Sequence, residues 1–139
     1  MNLIEVRGGT EFQKDIAHKV TSHLVRKFFP RHKTLMIEIN IKNLKGEASG
    51  WCLADDSRTF EIEVEKKQQL RDFIETICHE MVHVRQYVRN EVDLQWSKNP
   101  RWKNRRIGEN VKYLDLPWEK EAYKLEKKLI ELIWKENIL

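Results

Sequence analysis

In Ile77-Cys78-His79-Glu80-Met81-Val82-His83-Val84-Arg85-Gln86-Tyr87, two histidines stand four residues apart and a glutamate follows the first. Leu70, Phe73, Ile74, Ile77, Met81, Val84 and Val88 recur at three- and four-residue steps around them, so a helix is predicted from about Lys66 to Asn90. Four residues advance a helix by about 400°, which sends both imidazoles off nearly the same side, about 6 Å apart along the axis. Both can then ligate one metal ion. Glu80 leaves the helix about 100° further round, where it can approach a water at that ion without ligating it, as a general base must. On the wheel the apolar stripe centres near Leu70 and Met81, and the two histidines fall close to the opposite side.

Outward from this helix the chain reads as consecutive short elements, with no repeats or low-complexity tracts. Thr10 and Gln13 have the spacing of a capping box, and Phe12, Ile16, Val20, Leu24 and Phe28 recur every fourth residue up to Pro30, which predicts a first helix. Leu35, Ile37, Ile39 and Ile41 alternate with Thr34, Met36, Glu38 and Asn40, as in a strand with one buried face. Trp51 to Ala54 follows a turn around Gly46 and Gly50. Phe60, Ile62 and Val64 alternate with Glu61 and Glu63, and the three strands are expected to form a meander. Asn99-Pro100 should break the chain, Trp102 to Tyr113 is a basic connector, and a last helix is expected from Pro117, burying Ala122, Leu125, Leu129, Leu132 and Ile133. Helix, three strands, helix, helix is the order of an α+β domain.

Catalytic zinc takes three protein ligands and a water, so His79 and His83 need a third partner. The other histidines, His18, His23 and His32, all precede the motif. Families with a third histidine downstream are thereby excluded, and the carboxylates of the last helix become the natural substitutes. Glu119 and Glu121 each sit at one margin of its apolar stripe. Ala122 beside Glu121 would permit close helix approach and mildly favours Glu121, while Glu119 stays open. Two imidazoles with one carboxylate suit zinc better than harder cations.

These residues resemble the small zincin metallopeptidases of the gluzincin type, in particular short phage- and bacterium-encoded ones. The resemblance rests on Ile77 to Tyr87, on Tyr113 and on Pro117-Trp118-Glu119-Lys120-Glu121-Ala122, and over the first half of the chain it is architectural only. It implies a single minimal zincin-like domain over residues 1–139, with an N-terminal helix, a three-stranded mostly antiparallel sheet, the motif helix and a C-terminal glutamate helix. A glutamate followed by alanine completes the metal site in such enzymes, which points to Glu121. An edge strand, here Arg58 to Val64, would pair with an extended peptide substrate. The motif helix is also similar to SprT-like proteases, but the chain lacks their downstream histidine and Cys-x-x-Cys ribbon, so their DNA-linked substrates do not carry over.

The expected activity is zinc-dependent hydrolysis of peptide bonds in a peptide or protein substrate. His79, His83 and Glu121 hold the ion, Glu80 takes a proton from the attacking water, and Tyr113 in the connector donates to the oxyanion. Tyr87 and Tyr123 are weaker candidates for that donor, because a tyrosine at helical spacing more often packs.

Two other classes compete. In Arg101-Trp102-Lys103-Asn104-Arg105-Arg106 the basic residues could contact phosphates while Trp102 stacks on a base, giving weak nucleic-acid binding. A metal-stabilised, non-proteolytic partner-binding module would keep the ligands but have no need of Glu80.

Composition sets the outer limits. The 26 basic against 22 acidic residues leave a net charge of +4, too small an excess to mark a nucleic-acid binder by itself. The longest uncharged run, Ala48 to Ala54, falls far short of the roughly 20 apolar residues of a membrane span. The first residues lack a basic segment followed by an apolar run, so no secretory signal and a cytoplasmic location are expected. Cys52 and Cys78, far apart and single, are expected to be buried free thiols.

Overall fold

The computed structural model describes residues 1–94, 100–108 and 110–139. The chain begins with a strand, β1 (Leu3–Gly8), and Gly8 and Gly9, with φ of 81° and 70°, turn it into helix α1 (Glu11–Phe28). The capping box forms as expected: the Thr10 hydroxyl accepts from the Gln13 amide at 3.1 Å, and the Gln13 side chain accepts from the Thr10 amide at 3.0 Å. Strands β2 (Met36–Lys42), β3 (Gly50–Ala54) and β4 (Thr59–Glu65) follow, then the motif helix α2 (Leu70–Val88). A small hairpin of β5 (Arg101–Trp102) and β6 (Arg105–Arg106) and a 3-10 turn (Tyr113–Asp115) lead to α3 (Pro117–Lys135).

The architecture is α+β, and its sheet differs from the expected three-stranded meander. Four strands run in the order β1-β2-β4-β3; β1–β2 and β2–β4 are parallel, and only β3–β4 is antiparallel. The reason lies in the first strand, which alternation marks only weakly: Ile4 and Val6 are its inward residues and both are only partly buried. Once β1 precedes α1, the helix becomes a crossover that returns the chain to the same end of the sheet, and the next strand must run parallel to the first. The second correction concerns the edge. β4, whose Phe60, Ile62 and Val64 are all at most 1% exposed, takes the interior position, so the edge beside α2 is β3 and not the segment Arg58 to Val64.

β3 presents small residues inward. Gly50, Cys52 and Ala54 stand opposite Val64, Ile62 and Phe60 and therefore share their face. A Cβ on Gly50 would lie 2.6 Å from Cγ2 of Thr76 and 2.8 Å from the Glu63 carbonyl oxygen, so glycine lets α2 sit down on the edge strand. Helices α1 and α2 pack together on the sheet, and α3 packs across α2. α2 is thus covered on two sides, and every residue from Thr76 to Val84 is buried.

In the connector, the hairpin turns at Lys103 and Asn104, both with positive φ, as a two-residue hairpin loop requires. Trp102 pairs with Val92, and its ring lies 6.5 Å from that of Trp118. Asp93 accepts from the Arg101 amide and lies 3.5 Å from its Nε, and Lys103 faces Glu91 at 3.9 Å. Two of the four basic residues proposed to contact phosphates thus already have acidic partners. Pro100 is in an irregular segment, and Asn99 lies outside the described residues. Cys52 and Cys78 are free, Cys78 buried and Cys52 partly so. Among the described residues no helix is long and apolar enough to cross a membrane.

Candidate metal centre

Helix α2 delivers the two imidazoles as its periodicity demands, with ring centroids 4.9 Å apart. They face α3 instead of solvent, and His79 and His83 are only 6% and 9% exposed. Oε1 of Glu119 lies 2.9 Å from Nε2 of His79 and 3.2 Å from Nε2 of His83, so one carboxylate oxygen faces both rings. Among the described residues these are the ones whose ligand atoms come together: one atom from each of His79, His83 and Glu119 lies within 4.8 Å of the other two.

Glu121, expected from the Glu-Ala pair as the third ligand, is not a member of this cluster. It stands two positions after Glu119, about 200° round α3, and its Oε1 accepts from Nε2 of Gln86 at 3.0 Å and lies 3.6 Å from Arg85. Ala122 is fully buried and does allow close approach of the helices, but the face it shares is that of Glu119. Glu119, Ala122, Glu126, Leu129 and Ile133, spaced alternately by three and four, form one buried seam, with Ile130 beside it and Leu125 and Leu132 only partly covered. That spacing was available in the sequence, yet its first and third positions are glutamates, which a search for apolar periodicity passes over.

Two further residues that residue type alone does not single out, Gln86 and Glu126, orient the rings. Oε1 of Gln86 lies 2.8 Å from Nδ1 of His83, while Nε2 of Gln86 donates to the Trp118 carbonyl and to Glu121, both at 3.0 Å. With its NH2 committed to two acceptors, Gln86 must offer its oxygen to His83. Nδ1 of His83 then carries a hydrogen, and Nε2 donates to Glu119 in the protonated ring or, once deprotonated, offers its lone pair to an ion. Glu126, buried on the same seam, brings Oε2 within 3.3 Å of Nδ1 of His79, an ion-pair approach without the alignment of a good hydrogen bond. Replacing Gln86 by Leu, of similar size, should therefore weaken binding of an added divalent metal such as zinc about 10- to 100-fold by competition titration, and should also lower the melting temperature because the three hydrogen bonds of a buried side chain are lost. Unchanged affinity would remove Gln86 from the site.

The charges respond to this crowding. Burial alone would lower His79, but the hydrogen bond to Glu119, the carboxylate of Glu126 and the charge of Glu80 outweigh it and raise His79 to about 10. Burial likewise opposes the charge on Glu119, and the two imidazoles overcome it and bring the carboxyl down to about 2. His83 is raised by the same carboxylates against its own burial. Glu80 is different: burial pushes its carboxyl up to about 7 despite the pull of His83 and His79. Its carboxylate makes no hydrogen bond among the described residues, although Glu80 is only 5% exposed.

All of this opens on one cleft of about 1220 Å³, lined by α2, β3, the loop before β3, the 3-10 turn and α3. Tyr113 stands on its rim, largely exposed; burial of its hydroxyl and the neighbouring Glu119 and Tyr123 hold its pKa well above the ordinary phenol value, so it keeps its proton. The Tyr123 ring packs on His79 with centroids 4.5 Å apart, and the Tyr87 ring lies over Phe60 at 6.2 Å. No protein-family model, no curated protein and no solved structure matches this chain.

Proposed function

We propose that the chain is a zinc-dependent peptidase. The observation that carries this reading is the position of Glu80: a buried carboxylate with no hydrogen-bond partner among the described residues, directly beside two imidazoles and a third carboxylate that converge, all at the floor of an open cleft. The donor set fits zinc, since two neutral nitrogen ligands and one carboxylate leave a coordination position open. His79, His83 and Glu119 would hold the ion, with Gln86 and Glu126 orienting the histidines. Bound there, zinc supplies a Lewis acid that makes water nucleophilic at neutral pH and polarises a carbonyl.

The remaining work falls to the chain's own groups. Glu80, held near neutrality by burial, takes a proton from the attacking water on its carboxylate and returns it to the departing amine. Tyr113 keeps its hydroxyl protonated and offers a donor to the oxyanion. β3, an open edge whose inward residues are small, is the strand against which an extended peptide would pair. This takes over the role that the resemblance gave to Arg58 to Val64.

The test is metal-dependent hydrolysis. Protein stripped with a chelator should lose cleavage of an unstructured, internally quenched peptide and regain it with one equivalent of zinc. Activity that survives complete removal of metal would refute the reading, and so would a chain that binds no zinc on titration.

A further inference from the structure

The cleft carries two chemically different arms. Near His83 it is aromatic, with Tyr87 and Trp118, and the Tyr123 ring packs on His79. Beyond His79, toward the start of α2, it is acidic: Glu47, Asp72 and Glu75 line it, and Lys67 is the one basic residue on that wall. The carboxylates of Glu47, Asp72 and Glu75 make no hydrogen bond or ion pair among the described residues. The neighbouring Glu65, by contrast, is occupied by the backbone amides of Leu44 and Lys67. This excess of negative charge stands out on a chain whose net charge is +4. A second observation marks the same cleft as made for a ligand, namely the buried, unpartnered Glu80 at its floor.

We infer that the acidic arm selects peptides with a lysine or arginine near the cleaved bond. The inference rests on the peptidase reading and names its substrate class. Along α2, Glu75 lies about 6 Å and Asp72 about 10 Å from His79. An extended peptide advances about 3.3 Å per residue, so these carboxylates meet side chains two and three residues from the reacting carbonyl. A long cationic side chain reaches them easily, whereas a glutamate there meets three like charges. Because the arm is open to solvent, the attraction acts mainly on capture of the substrate and weakens with salt.

The experiment uses the zinc-loaded full chain and quenched peptides identical except for Lys, Gln or Glu two or three residues to either side of the cleaved bond. On one side, kcat/KM should run Lys above Gln above Glu, with about 5- to 50-fold between the extremes, chiefly through KM, and the spread should shrink between 50 and 500 mM salt. The Glu47→Gln/Asp72→Asn/Glu75→Gln protein should lose the preference among the three, with the ratio of kcat/KM for the Lys over the Glu peptide falling to about 1. Asp72 also sits in the first turn of α2, so thermal melting checks that the variant folds; the wild-type peptide series and its salt dependence need no variant. Equal cleavage of the three peptides, or a preference that persists in the folded variant, overturns the inference. If no peptide is cleaved, the peptidase reading fails separately, and fluorescence anisotropy of the same peptides decides the arm: tighter binding of the Lys peptide, abolished in the variant, supports it, and equal binding overturns it.

Discussion

Replacing Glu119 by Ala is expected to lower zinc affinity on the order of a hundredfold or more, and replacing Glu121 by Ala is expected to lower it about tenfold at most. Structural zinc sites gain about 10–16 kcal/mol from four ligands, so one ligand carries roughly 3 kcal/mol, or about two decades of affinity. Glu119 has the contact that such a ligand needs, with one oxygen within 3.2 Å of both Nε2 atoms. Glu121 acts only through Gln86, whose amide it helps to hold, and the loss of an outer partner costs less. The Trp118 carbonyl would still orient Gln86 in its absence. Competition titration with a chromophoric chelator measures both variants. The reverse ranking would return the ligand role to Glu121 and require α3 to be rotated by about 200° from the orientation described.

Glu80→Gln should have the opposite profile: zinc bound within a few-fold of wild type, and kcat reduced about 10²- to 10⁴-fold. The amide fills the same space beside His79 and His83 but cannot take a proton from water. Glu80 is buried and unpartnered, so the substitution breaks no hydrogen bond of the fold, and the melting temperature should hold or rise as a costly buried carboxyl is removed. This separates an enzyme from a metal-stabilised binding module, which would be indifferent to the change. A variant as active as wild type would show that the proton goes elsewhere.

The consequences of the β1 strand show how local and global information divide. Periodicity alone located α1, α2, α3 and the inward faces of β2 and β4, because each buries one face against a neighbour and repeats at the period of its own backbone. Helix α1 even carries its start signal in Thr10 and Gln13. Strand order is different: an alternating segment records that one face is buried and leaves open which strand lies beside it or in which direction. β4 reached the interior of the sheet because the chain runs out to the small-residue strand β3 and then returns inside it.

The same division runs through the site. His79, Glu80 and His83 lie on one element, and four residues of α-helix fix their geometry before any tertiary contact forms. That much the sequence determined by itself. The third partner depends on how α3 is rotated about its own axis against α2, and its apolar residues do not settle that rotation, because the deciding positions on the seam are Glu119 and Glu126. Only the packed structure, with Ala122 pressed against α2 and Gln86 reaching the Trp118 carbonyl, turns Glu119 inward to the histidines and Glu121 to Gln86 and Arg85. Helical spacing is a property of one backbone, whereas the facing of two helices is a property of both surfaces together.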